Sequence, residues 1–443
     1  MMNKKIMLIL AFLFGLSCSL QAQIVSDEED DDIDEEDELV VIDQSGNEEV
    51  IEFPEAMTYD LDSLLNEYMS KTYLTSGDCN MRNENPSYPT EVFIERLSRM
   101  PTVMEMAHNN VVQNFIDRYC TRLRGTISYM LGASNFYMPI FEEALEAYQI
   151  PLELKYLPVI ESALNPRAVS RVGATGLWQF MLATGKQYGL QVNSLVDERR
   201  DPIKASYAAA HLLSDLYKVF GDWNLVIAAY NCGPGNVNKA IQRSNGEKDY
   251  WRIYPHLPRE TRGYVPAFIA ANYMMTYYSL HNICPMRSRL PAQTDTIMVS
   301  QRIHLEQISK VLGIDIEELR TLNPMYRRDI IPGNTAEPYT LRLQQSDVNR
   351  FIDQLDAIAN YRASELLTNR AQVEVNDEIP TYYHKSKRYK KGRKGRAGRY
   401  SKASRRAGKK ASAKRGRAAK SKSKASRGKS SSKSRKSSKK RRR

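Results

Sequence analysis

The stretch from Pro151 to His281 limits this chain most, because its apolar residues recur at intervals of three and four and proline or glycine punctuates the runs. That spacing lays one apolar face along a helix. Leu154, Leu157, Ile160 and Leu164 share such a face behind Pro151, a residue suited to a first helical turn. Asp201-Pro202 reads as an N-cap with proline at the first helical position. Tyr207, His211, Leu212 and Tyr217 continue that helix, and Gly221 can end it in a left-handed turn. Trp223 to Tyr230 predicts another short helix, stopped at Gly233-Pro234-Gly235. These runs predict a compact helical domain over 141–290. Over 56–140, Phe93, Leu97 and Met100 form one helical set and Phe115, Tyr119 and Leu123 another, with Pro101 between them. They predict helices that support the domain.

The flanks are built differently. Residues 27–38 hold eleven acidic side chains, interrupted only by Ile33. Such a run repels itself, so 23–55 is expected to be a disordered linker. At the other end, 385–443 carries thirty of the 64 Lys and Arg and no Asp or Glu. The formal charge of +12 therefore adds a very basic tail to an acidic body. Residues 377–443 are expected to be a disordered basic tail, and 346–376 a helical or linker segment.

Lys4 and Lys5 precede an apolar run from Ile6 to Leu16, too short to span a bilayer, and Leu20-Gln21-Ala22 offers a cleavage site. Residues 1–22 thus read as a signal peptide, and the protein as exported to the periplasm or envelope. Lipid attachment at Cys18, with membrane association, is the second route, although Gly15 stands where a lipoprotein site usually has Leu. Cleavage leaves Cys79, Cys120, Cys232 and Cys284, whose wide spacing fits no metal site. Buried thiols and disulfides both stay open. No metal and no cofactor is expected.

Four pieces carry polar groups suited to chemistry. Glu161-Ser162 ends an apolar helix, so the Glu161 carboxyl lies beside an apolar face. Partial desolvation there raises a carboxyl pKa, which suits a proton donor near neutral pH. Gly173-Ala174-Thr175-Gly176-Leu177-Trp178-Gln179-Phe180-Met181 follows. Trp178 and Phe180 can offer flat faces to a sugar or pack into the core, and Gln179 supplies a donor and an acceptor. Ala229-Tyr230-Asn231-Cys232-Gly233-Pro234-Gly235 places two polar side chains before a tight turn, where Asn231 can equally cap a helix. Glu260-Thr261-Arg262-Gly263-Tyr264-Val265 brings a phenol that can reach a carboxyl.

In this order and spacing the four pieces resemble the soluble lytic transglycosylase (SLT) family, in particular its membrane-bound lytic murein transglycosylase D group. The resemblance covers roughly 130 residues. It departs at Leu182, where close relatives usually carry Pro, and at Cys232, where many carry Ala. It implies a lysozyme-like helical fold with Glu161 as catalytic acid and then base. It also implies that Ser162, Gln179, Phe180, Met181, Tyr230, Asn231 and Tyr264 line the groove and position sugar. The implied substrate is the glycan strand of peptidoglycan, cut between N-acetylmuramic acid and N-acetylglucosamine to leave 1,6-anhydro ends. An ordinary glycosidase needs a second carboxylate. None has a comparable motif, and Asp197, Glu198 and Asp222 read as caps or surface charges.

Residues 295–345 alternate at Ile297 and Val299 and again at Tyr339, Leu341 and Leu343, around two helical runs ending at Gly313 and at Asn323-Pro324. This strand, two helices and strand resemble a LysM module, a small glycan-binding domain, with His304-Leu305 where its usual Gly-Asp-Thr would stand. The fold class expected is therefore mainly α: the lysozyme-like domain, a small α+β LysM-like module and the basic tail. The tail can bind anionic wall or envelope polymers. It has no aromatic residue after Tyr400 to stack on bases, which argues against nucleic acid. A hydrolytic muramidase of the same fold and a non-catalytic wall-binding or polyanion-binding protein are the alternatives.

Overall fold

The computed structural model describes residues 38–42, 48–59, 64, 74–75, 84–288, 290–291, 293–367 and 372–375. The signal peptide expected at 1–22, the acidic run up to residue 37 and the basic tail from 377 lie outside the described residues.

The chain enters as an antiparallel hairpin of β1 (Glu38–Ile42) and β2 (Glu48–Glu52), in register at Leu39 opposite Ile51. Over 38–42 and 48–55 this corrects the linker expected over 23–55. Ile51 is fully buried, and the Phe53 ring meets Phe115 edge-on at 4.9 Å while the Arg118 guanidinium lies 3.9 Å over it. Ile51, Phe53, Ala56 and Met57 bury apolar surface in the main core, which holds the segment there.

Helices α1 (Thr90–Ser98), α2 (Asn110–Cys120) and α3 (Arg124–Ala147) follow. Phe93, Leu97, Met100, Phe115, Tyr119 and Leu123 are all buried in the main core. The run behind Pro151 is not one helix. A 3₁₀ turn at Leu152–Tyr156 leads into the short α4 (Leu157–Ser162), which ends at Ala163 and Leu164, both left-handed at φ 48° and 60°.

After α5 (Leu182–Gln187), α6 (Pro202–Phe220) starts and stops on the residues read from sequence. The Asp201 carboxylate accepts from the amides of Ile203 and Lys204 at 2.9 and 3.1 Å, and Gly221 closes the helix at φ 68°. Then come α7 (Trp223–Cys232), α8 (Pro234–Arg243), α9 (Tyr250–Ile253) and α10 (Arg259–Tyr277). The Gly233-Pro234-Gly235 turn stops α7 as expected, with Gly233 as its C-cap, and Pro234 then opens α8 in a new direction. Two-residue strands β3 (Leu74–Thr75) and β4 (Arg287–Ser288) pair behind α3.

A second core lies under residues 294–360. Strands β5 (Thr294–Val299) and β8 (Tyr339–Gln344) pair antiparallel, as do β6 (Arg302–His304) and β7 (Ile330–Pro332), around α11 (Leu305–Leu312) and α12 (Ile316–Leu322). His304 takes over the cap of α11: its ring accepts from the Glu306 amide at 3.1 Å while Gln307 reaches back to the His304 amide at 2.8 Å. The module extends past residue 345. Helices α13 (Gln345–Asp353) and α14 (Leu355–Asn360) put Phe351 and Ile358 into this core. Helix α15 (Ala363–Leu366) follows, and residues 372–375 fold back onto the helical domain, where the Val373 amide donates to Ser194 Oγ at 3.0 Å. Of the two readings for 346–376, helical or linker, the described residues up to Leu366 follow the helical one.

Cys284 is disulfide-bonded, whereas Cys120 and Cys232 are free. Among the described residues no helix is long and apolar enough to cross a membrane.

Candidate active site

Glu161 is the penultimate residue of α4, half-buried, and stands between the buried Ile160 and Ser162. The left-handed turn at Ala163 and Leu164 ends the helix one residue later, so the carboxyl projects from a strained helix end. Two such residues without glycine cost about 1–3 kcal/mol each, and strain of this kind collects at functional sites.

Tyr264, buried on α10, donates its hydroxyl to Glu161 Oε1. Burial drives the Glu161 pKa from 4.5 up to about 8; the Tyr264 hydrogen bond opposes the shift, and the charges of Glu260 and Glu55 add to it. Burial, and then the Glu161 charge, holds Tyr264 and Tyr230 well above the ordinary phenol value. Both phenols therefore stay protonated and serve as hydrogen-bond donors.

The Gly173–Met181 segment is tied to α4 beside Glu161, where the Leu177 carbonyl accepts from Ser162. Gly176 is left-handed at φ 88°, and a Cβ there would lie 1.9 Å from the Arg199 carbonyl oxygen, so only glycine permits this approach. Arg199 fixes the loop. Its guanidinium donates to the carbonyls of Gly173 and Phe180 at 3.2 and 3.1 Å and holds Asp197 with two bonds of 2.9 Å. Asp197 also receives Arg327 from the second core at 2.7 Å. Asp197 caps the Glu198–Arg200 turn through the Arg199 amide at 3.3 Å and Asp222 caps α7 through the Leu225 amide, as expected, whereas Glu198 is buried and not a surface charge.

The structure divides the site residues proposed from sequence. Tyr230 donates to the Trp178 carbonyl at 2.7 Å and lies close enough for the Glu161 charge to act on it. Asn231 accepts from the Thr261 hydroxyl at 2.8 Å and hydrogen-bonds Glu260, so it does not cap α7. Gln179 is half-buried and left-handed at φ 47°, with its amide donating to the Gly176 carbonyl at 2.9 Å. Met181 is exposed.

Ser162 and Phe180 depart from their expected place in the groove. Ser162 is fully buried, and its hydroxyl donates to the carbonyls of Leu177 and Pro158 at 2.9 and 3.1 Å. Phe180 and Trp178 are core residues with no face to offer a sugar, and the Trp178 indole donates to Ser206 Oγ at 2.9 Å. Leu177, Trp178 and Phe180 all turn into the core, where burying their apolar area outweighs any exposure to a groove.

Sequence reasoning missed two acidic neighbours. Glu260 stands in the fourth motif without a role there. Glu55 belongs to a 3₁₀ turn, Glu55–Met57, that packs on α4. Val50, Ile51 and Phe53 were the signal that this segment folds. Among the described residues no cluster of His, Cys, Asp and Glu could hold a metal.

Residues 138–253 match the Transglycosylase SLT domain, and 293–360 match "Lytic transglycosylase MltD, LysM-like domain". The first match ends before α10, although α10 shares its core. Membrane-bound lytic murein transglycosylase D of Escherichia coli K12 is 36% identical over 184 residues, 39% of each chain. The putative tributyltin chloride resistance protein of Alteromonas sp. strain M-1 is 39% identical over 117 residues, 26% of this chain and 56% of that one. The chain thus spans about two fifths to just over half of these curated relatives. Among solved structures, the 70 kDa soluble lytic transglycosylase with bulgecin A has a TM-score of 0.31 at 26% identity, over 38% of this chain and 29% of that one.

Proposed function

We propose that this chain, which carries an SLT domain followed by a LysM-like domain, is an envelope lytic transglycosylase. It cleaves the β-1,4 bond between N-acetylmuramic acid and N-acetylglucosamine in peptidoglycan and leaves 1,6-anhydro ends. One observation carries the reading: a single half-buried carboxyl, Glu161, with its pKa near 8, held by the hydroxyl of Tyr264.

The chemistry balances on that carboxyl. Neutral Glu161 gives its proton to the bridging oxygen as the bond from the anomeric carbon to that oxygen breaks. The carboxylate then takes the proton of the muramic C6 hydroxyl, whose oxygen bonds to the anomeric carbon. Glu161 ends protonated as it began, and no water is consumed. Tyr264 keeps its proton throughout and strengthens its hydrogen bond when Glu161 is charged, so its stabilisation peaks midway through the reaction. Gln179, Met181, Tyr230 and Asn231 line the groove in this reading. Ser162 and Phe180 support it from behind.

One observation favours a second reading. The carboxyls of Glu260 and Glu55 lie close enough for their charges to act on Glu161. If either activated water, the product would carry reducing ends, as from a muramidase. Mass spectrometry of muropeptides released from sacculi separates the two, since the products differ by one water. A Glu161→Gln variant that digests sacculi as fast as its parent would overturn the assignment of Glu161, and a parent that binds sacculi without digesting them would leave a wall-binding protein.

Export to the envelope is part of the proposal, supported by the N-terminal apolar run and by a disulfide at Cys284. The basic 385–443 segment binds anionic wall or envelope polymers in a salt-dependent way. Lipid attachment at Cys18 is the membrane-associated version.

A further inference from the structure

Where the SLT domain meets the LysM-like domain, a cavity of about 380 Å³ opens among Arg167, Arg200, Arg320, Arg327, Arg328 and Asp329. Two of these arginines are matched: Arg320 pairs with Asp329 and Glu317, and Arg327 pairs with Asp197. Arg167, Arg200 and Arg328 make no ion pair among the described residues. The Arg167 guanidinium donates to the Arg320 carbonyl at 3.2 Å. Buried Nε atoms of Arg200 and Arg327 have no hydrogen-bond partner. Arg328 and Asp329 are both left-handed, at φ 62° and 58°, on the cavity rim.

Folding alone gives no reason for this arrangement. A half-buried guanidinium beside other guanidiniums is destabilising until an anion arrives. Burial, and then repulsion from Arg327, Arg167 and Arg199 against the pull of Asp197, depresses the Arg200 pKa. Planar guanidinium forks suit carboxylate and phosphate oxygens. The seam is also held in place: the Arg327 amide donates to the Leu195 carbonyl at 2.7 Å, the Asp197 amide donates to the Met325 carbonyl at 2.9 Å, and Leu195 and Val196 belong to the second core.

We propose that this cavity binds the carboxylates of the peptide stems carried by the glycan strand. The inference rests on the proposed substrate. Arg167 follows Glu161 by six residues, at most about 20 Å of chain, and an extended stem of four or five residues spans about 15 Å. Separation and stem length are of the same order, which is the basis for placing a sugar at Glu161 and a stem at the seam on one bound strand. Preference for peptide-bearing over naked glycan would then be read by the joint between the domains.

The test uses the full chain on a Glu161→Gln background, with stem-bearing strands, strands stripped of peptide, and inorganic phosphate as probes. Arg200→Gln and, separately, the exposed Arg328→Gln are added. The parent binds stem-bearing strands more tightly than stripped ones, and either addition lowers that ratio, by about ten-fold for Arg200→Gln. Arg200→Gln leaves Tm unchanged or higher, since it removes a buried unpartnered charge; a purely structural arginine would lower Tm. An unchanged ratio overturns the site. Phosphate that competes as well as free stem peptide overturns the peptide assignment. Cutting by the Glu161→Gln background would count against the catalytic proposal alone, because the affinity ratio is read independently of it.

Discussion

The hydroxyl of Tyr264 donates to Oε1 of Glu161 across 103 residues of chain, joining the end of α4 to the first turns of α10. That bond is the one interaction at the site that favours the ionised carboxyl, against burial and two neighbouring acids that oppose it. The contest sets both the resting proton and its release.

Tyr264→Phe keeps the ring and removes the donor. A hydrogen bond to a charged group is worth about 1.5–3 kcal/mol, so kcat falls by roughly 10- to 100-fold. The bond lowers the Glu161 pKa, so its loss moves the alkaline limb of the pH–rate profile upward. A pH–kcat series on both proteins measures the two effects together.

Activity declines as pH rises through about 8, where Glu161 loses its proton in the folded state. Stability obeys the same titration. The folded pKa is raised above 4.5, so the native state binds more protons than the unfolded one between about pH 4.5 and 8, and stability falls with rising pH across that window. Glu161→Gln abolishes most turnover and at pH 9 gains about 1–2 kcal/mol over the parent. Below pH 4.5 the two proteins unfold alike. Chemical denaturation at both pH values tests this.

Ser162→Ala separates a latch from a sugar ligand. Its hydroxyl joins α4 to the Leu177 carbonyl within the core, so the variant loses about 1–2 kcal/mol of stability with KM nearly unchanged. A raised KM at unchanged Tm would return Ser162 to the groove.

Gly263→Ala tests the hairpin. A Cβ there would lie 2.4 Å from the Glu52 carbonyl oxygen and 3.1 Å from Ile51 Cγ2, so β2 must lift from α10. The expected cost is about 1–3 kcal/mol. Glu55 follows β2 closely and its charge raises the Glu161 pKa, so the alkaline limb moves to lower pH. An unaltered limb would detach the hairpin from the site.

Much of the frame was legible because its signals are local. Asp201, Pro202 and Gly221 bound α6 by capping chemistry that involves only residues near its ends. Glu161, the glycine-rich loop, Asn231 and Tyr264 were legible as motifs. Whether a motif residue faces substrate or core was not. Phe180 and Ser162 are neighbours of groove candidates by number, but their side chains turn inward. The 38–55 segment was misread because eleven acids outweigh a few apolar residues in any composition argument, while in the fold Ile51 and Phe53 have a core waiting for them.

By itself the sequence determined where α6 begins and ends and which carboxyl is singled out. These follow from periodicity and capping, which act over a few residues. Tertiary structure alone decided that carboxyl's proton affinity, because desolvation and the Tyr264 bond arise from segments a hundred residues apart. It also brought Glu55 to the site and gathered arginines from two domains around one cavity. Electrostatic energy depends on distance through space, and only the packed fold sets that distance.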